Sequence, residues 1–273
     1  MAEPMAGPTS AAAAPPSTHT VTADLGDDHV LTLTLARPKR MNSFNQQMLE
    51  EFRTLWQWAG GEESVHVIVL RAEGERAFCT GVDVVEGIER HPNPFSEADP
   101  GTYLGPKHNR CWKPLVCAVH GMAAGGALYW LNEADIIIAS DDATFFDPHV
   151  TYGLTAALEP IGLARRIPLG EVLRMALLGN DERMSARRAH EIGFVSEVVD
   201  RDALWQRAQH LAARIAAKPP AAVQGTVKAI WESLDATRSQ ALATGLAYTQ
   251  LGNPLGKAQV DRASVDNRDF EVR

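Results

Sequence analysis

The sequence predicts an α/β fold in which short strands alternate with helices and a mostly helical part follows. Three observations carry this prediction. Apolar runs at residues 30–35, 65–70, 115–119 and 135–140 have the length of strands and are bounded by turn residues. Two glycine turns, Phe78-Cys79-Thr80-Gly81-Val82-Asp83 and His120-Gly121-Met122-Ala123-Ala124-Gly125-Gly126, come after such runs. Beyond residue 170 the apolar spacing becomes helical. Strands with helices between them, then helix, indicate an α/β core with a helical extension.

Each element has a local reason. Residues 30–35 alternate leucine and threonine, as a half-buried strand does. Asn42 or Ser43 can cap a helix that places Phe44, Met48, Phe52, Leu55 and Ala59 on one stripe, and Gly60-Gly61 stops it. Residues 65–70 form a buried strand. Residues 96–105 are rich in proline, glycine and acids and read as a mobile loop. Residues 135–140 and 144–146 are further strands. Helices follow at 171–178, at 185–192 ending on Gly193, at 202–217 and at 220–234, where Pro220 suits a first turn. Residues 240–251 carry a weaker helical pattern.

Composition excludes several classes of function. The net charge of −8 argues against a nucleic-acid binder, which needs a basic face. Cys79, Cys111 and Cys117 have no C-x-x-C spacing, so we expect free thiols in a reducing, cytoplasmic setting and no zinc or other metal site. No apolar run approaches the roughly 20 residues that span a bilayer, so no membrane association is expected. The Ala/Pro-rich residues 1–20 read as a disordered tail. There is no G-x-S-x-G nucleophile elbow, as an α/β-hydrolase requires, and no G-x-G-x-x-G, phosphate loop or H-E-x-x-H.

Glycine lets backbone N–H groups approach a ligand closely, and a helix start adds a positive dipole end. Two such donors aimed at one carbonyl oxygen form an oxyanion hole, which stabilises an enolate. Singly, each turn has an ordinary structural explanation. Together and in this order they resemble the enoyl-CoA hydratase/isomerase (crotonase) superfamily. Arg37-Pro38-Lys39-Arg40-Met41-Asn42-Ser43-Phe44 resembles that family's R-P-x-x-x-N-A-L segment. The first turn resembles F-x-A-G-A-D. Lys113 to Gly126 resembles K-P-x-I-A-A-V-x-G-x-A-x-G-G, Asp135 to Ala139 its next strand, and Arg187 to Val199 its A-x-x-x-G-L-V-x-x-V-V segment.

The resemblance implies a crotonase-like ββα spiral core over residues 21–200 and a helical region over 201–273 that mediates trimer formation, giving a homotrimer or hexamer. It implies an acyl-CoA or enoyl-CoA substrate, with CoA as part of the thioester and no separate cofactor. The oxyanion donors are then the N–H groups of Val82 and Gly126, within turns that include Gly81 and Gly125. Lys39 and Arg40 are candidates for holding the CoA phosphates. The pairs Arg165-Arg166 and Arg187-Arg188, and the terminal Asn267-Arg268-Asp269-Phe270, are alternatives. The same residues also read as solvated surface charges.

Hydratases of this family use two glutamates, and both are absent here. Tyr129 and His149 stand in their places. A phenol, with a reference pKa of about 10, is a poor base at neutral pH but can donate a hydrogen bond. Histidine, near about 6.5, can take and give a proton. One base suffices for a double-bond shift through a dienolate. Glu159 replaces a glycine-rich stretch near the acyl pocket and is a substitute acid, or else a helix N-terminal charge. Glu86 and Glu133 read as solvated helix charges and Asp83 as a local hydrogen-bonding residue. The alternative reading is a catalytically silent acyl-CoA-binding homologue or partner subunit.

Overall fold

The structure, a computed structural model, describes residues 13–89, 92–93, 95–96, 99–263, 265 and 270–273. The chain opens with strands β1 (Val21–Leu25) and β2 (Val30–Leu35), followed by helix α1 (Gln46–Gly61). Strands β3 (Val67–Ala72) and β4 (Ala77–Cys79) come next. Then come β5 (Leu115–Val119), β6 (Met122–Ala124) and helix α2 (Leu128–Glu133). The pattern repeats with β7 (Ile136–Ser140), β8 (Thr144–Phe146) and helix α3 (Leu158–Leu163). Helix α4 (Leu169–Leu178), strand β9 (Met184–Ser185), helix α5 (Ala186–Glu191) and strand β10 (Glu197–Val199) follow. Helices α6 (Leu204–Ala216), α7 (Pro220–Ser233) and α8 (Arg238–Ala258) complete the chain.

The strands divide between two sheets. One has the order β1-β2-β3-β5-β7-β10 and is parallel except for the antiparallel β1–β2 pair. The other has the order β4-β6-β8-β9. Consecutive strands therefore step from one sheet to the other, β3 to β4, β5 to β6, β7 to β8. Each step advances the chain by one position in both sheets, which is the expected spiral of ββα units. The period-2 alternation of side chains explains the layering. Val30, Val67, Val69, Val116 and Ile138 face α6, while Leu31, Leu33, Ile68, Leu70 and Ile137 face the main core under α1 and α2.

Several boundaries differ from expectation. Helix α1 is capped by Asn45, whose side chain accepts the Met48 N–H at 3.0 Å. Asn42 does not cap the helix: its Oδ1 accepts the Arg37 N–H at 3.0 Å, its amide donates to the carbonyls of Glu73 and Ala77, and its φ is +54°. Phe44 is freed from the helix and pairs with Val82 instead. The segment expected to be a mobile loop is anchored over part of its length. Residues 100–103 form a 3-10 turn with Gly101 buried, and Trp56 donates to the Leu104 carbonyl at 3.0 Å. The weak pattern at 240–251 belongs to a longer helix, α8, started by a Thr237 capping box. Strands β1, β4, β6, β9 and β10 are too short or too flat in pattern to be read locally.

Helices α7 and α8 form a hairpin whose own buried contacts are few. Gly256 approaches Ala222 closely, while Ile230, Leu242, Leu246, Leu251 and Leu255 are exposed. Among the described residues no helix is long and apolar enough to cross a membrane.

His120, between β5 and Gly121, is fully buried. Neither ring nitrogen has a well-formed hydrogen bond. Burial, followed by the nearby Arg201 charge, lowers its pKa to about 4. The unfolded chain holds its proton up to about 6.5, so between these values the unfolded state binds more protons. The stabilising effect of this residue is complete above about 6.5 and is lost as the pH falls to about 4. A loss on the order of 3 kcal/mol is expected from that interval. Urea unfolding of wild type and His120→Gln across this range checks it: the acid decline should be visibly shallower in the variant.

Candidate active site

The two glycine turns meet. Gly81 has φ +86°, and a Cβ built on it would lie 3.2 Å from the Gly126 nitrogen and 3.3 Å from the Ala124 carbonyl oxygen. A Cβ on Gly126 would lie 2.5 Å from the Phe44 ring. Only glycine permits this approach. Phe44 donates its N–H to the Gly81 carbonyl at 2.9 Å and accepts the Asp83 N–H at 2.8 Å. That bridge directs the Val82 N–H to the opposite edge of the segment. Gly126 lies in the 3-10 turn 125–127, whose first N–H groups have no partner within the turn. Phe44 is itself fixed edge-on against Trp130, with ring centroids 6.1 Å apart.

Arg37 fastens the first turn. It donates to Asp83 at 3.0 Å, to Glu86 at 2.6 Å and to the Ser43 carbonyl at 2.5 Å. Burial alone would raise the Asp83 carboxyl. The N–H groups of Glu86 and Val85 and the Arg37 guanidinium outweigh it and hold the acid below its ordinary value. Asp83 is thus a local hydrogen-bonding residue, as expected. Glu86 is bound to Arg37 and to the Asn45 amide and is not simply solvated.

Beside the second turn stands an imidazole. A Cβ on Gly125 would lie 3.6 Å from His149 Cε1. His149 follows β8 by way of Asp147 and Pro148 and opens a 3-10 turn over His149–Tyr152. Its Nδ1 is 2.5 Å from Asp147 Oδ1, and its Nε2 is 3.8 Å from Glu159 Oε1 on α3. The hydrogen bond to Asp147 raises the His149 pKa above its ordinary value, against the opposing effect of burial. Burial raises the Glu159 pKa in turn. Tyr129, on α2, packs against Gly101 and donates its hydroxyl to Asp99 Oδ2 at 2.7 Å.

The structure therefore gathers Gly81, Val82, Gly125, Gly126 and His149 in one region, with Glu159 across the imidazole. Tyr129 is engaged by Asp99. Glu133 is buried and accepts the Lys107 N–H at 2.5 Å and both a backbone and a ring hydrogen bond from His108, so it is not a solvated helix charge. Lys39 and Arg40 lie exposed in the 3-10 turn 38–40. Arg166 is occupied structurally, donating to the carbonyls of Asn132 and Ala134, and Arg165 pairs with Asp235. Both lie just past α3 and not within a helix. Arg188 is taken up by Glu171 and Glu191. Of the terminal stretch, Asn267, Arg268 and Asp269 lie outside the described residues. Two cavities of about 340 and 520 Å³ lie elsewhere and contain none of the gathered residues. Among the described residues no cluster of three or more metal-ligating acids, histidines or cysteines occurs.

Sequence reasoning missed Asp147, Asp99 and Arg37. Asp147 was legible in principle. An aspartate two residues before a histidine, across a proline, forms an Asx turn that brings carboxylate and ring together. Asp99 and Arg37 act across 30 and 46 residues of chain and have no local signal.

The profile of the family described as Enoyl-CoA hydratase/isomerase matches residues 26–251. The (E)-benzylidenesuccinyl-CoA hydratase of Thauera aromatica is 34% identical over 230 residues, covering 82% of this chain and 86% of the relative. The 1,2-epoxyphenylacetyl-CoA isomerase of Escherichia coli K12 is 33% identical over 199 residues, covering 70% and 74%. A crystal structure of an enoyl-CoA hydratase/isomerase from Mycobacterium paratuberculosis superposes with a TM-score of 0.79 at 36% identity, covering 86% of this chain and 91% of the other.

The close approach of the turns is testable. Gly81→Ala should lose at least about 1 kcal/mol of stability, because its left-handed backbone and the facing Gly126 amide leave no relaxed position for a methyl group. An unchanged urea midpoint would mean that the turns do not pack as described.

Proposed function

The chain belongs to the enoyl-CoA hydratase/isomerase family, and from that premise we propose that it binds an acyl-CoA thioester and works on it through an enolate. The carbonyl oxygen is received by the N–H groups of Val82 and Gly126. His149 moves the proton, Tyr129 assists by hydrogen bonding, and Glu159 is the substitute acid. The observation that carries this reading is the contact of the two glycine turns with an imidazole beside the second. Lys39 and Arg40, exposed between Arg37 and Phe44, which contact the first turn, are the proposed contacts for the CoA phosphates.

The chemistry follows from these groups. A base removes a proton next to the conjugated system, and the C–H electrons pass into the thioester carbonyl. The oxyanion so formed is stabilised by preoriented amide dipoles, which do not need to reorganise. Returning the proton at another carbon shifts the double bond. A single base performs both transfers, which suits a site with no paired glutamates. A second reading, a silent acyl-CoA binder or partner subunit, is favoured by the same replacements of the glutamates by Tyr129 and His149. Self-association into a trimer or hexamer is proposed for the exposed leucines of α4 and α8.

Crotonyl-CoA and a panel of 3-enoyl-CoAs, followed by loss or gain of thioester conjugation beside a CoA-binding titration, separate the two readings. Turnover that falls by about 10²-fold or more in His149→Ala supports the enzyme. Binding without turnover on every member supports the silent homologue. Because the raised His149 pKa governs the basic form, the rate should rise with pH through a value above 6.5. Light scattering of the purified chain checks assembly: a monomeric mass at all concentrations would remove the trimer proposal.

A further inference from the structure

His149 has a carboxylate at each ring nitrogen, and the two are unequal. Asp147 is almost wholly buried at the end of β8. Its Oδ1 accepts the His149 backbone N–H at 3.1 Å and faces Nδ1 at 2.5 Å. Its Oδ2 is buried and has no hydrogen-bond partner. The three residues Asp147-Pro148-His149 form a short, stiff lever, because the proline ring restricts the backbone between carboxylate and imidazole. Glu159, on α3, stands 3.8 Å from Nε2, beyond hydrogen-bond length but within ion-pair reach. Asp99, paired with Tyr129, adds its charge on the Glu159 side.

A carboxylate accepts and does not donate, so the nitrogen that faces it at hydrogen-bond distance carries the hydrogen. In the neutral ring the other nitrogen then has the lone pair. We propose that Asp147 is a positioning residue for His149. It holds the imidazole as the Nδ1–H tautomer, so that Nε2, which faces Glu159 in the region of Gly125, takes the substrate proton and gives it back. The direction of proton transfer rests on the enolate reading above, whereas the tautomer does not. In the transfer a C–H bond of the thioester breaks, its electrons enter the enolate and a new N–H bond forms at Nε2. The imidazolium then lies between Asp147 and Glu159, which stabilise its charge. The reverse transfer restores the neutral ring with Nδ1 still protonated.

The test uses the full chain with ¹⁵N-labelled histidine. Two-bond nitrogen–proton correlation, with His149→Ala to assign the signals, reads the tautomer in the wild type. Nδ1 should be the protonated nitrogen of the neutral ring. In Asp147→Asn the His149 pKa should fall by about one unit or more, since the facing charge is gone. With an enoyl-CoA that the wild type turns over, kcat should fall by about 10²-fold or more while KM stays within about threefold. A wild-type Nε2–H tautomer overturns the assignment. So does an Asp147→Asn variant whose His149 pKa and kcat are unchanged. If the wild type turns over no substrate, the enolate reading falls and the tautomer and pKa decide this proposal alone. The wild-type measurement also decides it if the variant fails to fold.

Discussion

The region around Gly81 and Gly126 depends on one steric constraint: two backbone segments meet with no space for a side chain between them. Peptide groups seldom approach so closely outside regular hydrogen-bonded structure, because a Cβ on either side keeps them apart. Removing the Cβ atoms on both sides lets Gly81 reach the Gly126 amide. Other features maintain this contact. The bridge between Phe44 and Val82 sets the height of the first turn, Arg37 ties its acids together, and Trp130 blocks Phe44 from behind. The early end of the helical pattern at Phe44 follows from the same demand, since a residue used as a strand partner cannot also begin α1.

The electrostatic character of the region comes from competition between desolvation and pairing. An acidic chain with a net charge of −8 places its imidazole where carboxylates outnumber cations. Burial favours the neutral form of every ionisable group, so Glu159 is pushed up. For His149 the hydrogen bond to Asp147 overcomes burial and raises the pKa. His120 shows the other outcome. With no well-formed partner, burial prevails and the ring stays neutral. The two histidines differ in both respects: His120 is fully buried with no well-formed partner, whereas His149 is partly exposed and has a hydrogen-bonded carboxylate two residues away.

Much of the fold was legible locally. Strands β2, β5 and β7 and the four helices α4 to α7 follow from apolar runs, apolar period and turn residues that lie along a single stretch of chain. Of the short strands of the second sheet, β8 was legible and β4, β6 and β9 were not. Three residues such as Ala77–Cys79 or Met122–Ala124 are too few for a period and are strands only because neighbours from distant units pair with them. Glu133 was misread for a related reason. A glutamate on a helix is ordinarily solvated, but residues 107 and 108 hydrogen-bond to this one and it is buried.

The order of residues by itself determined the two glycine turns, the absence of paired glutamates and the presence of His149 after a proline. These are statements about covalent neighbours and backbone freedom, which need no partner to be true. Tertiary structure alone decided that the turns touch, that Arg37 locks one of them, that Tyr129 is turned toward Asp99 and that Glu159 stands across the ring of His149. Each of those joins residues ten or more positions apart. Their meeting depends on how the ββα units stack, a property that no local pattern contains.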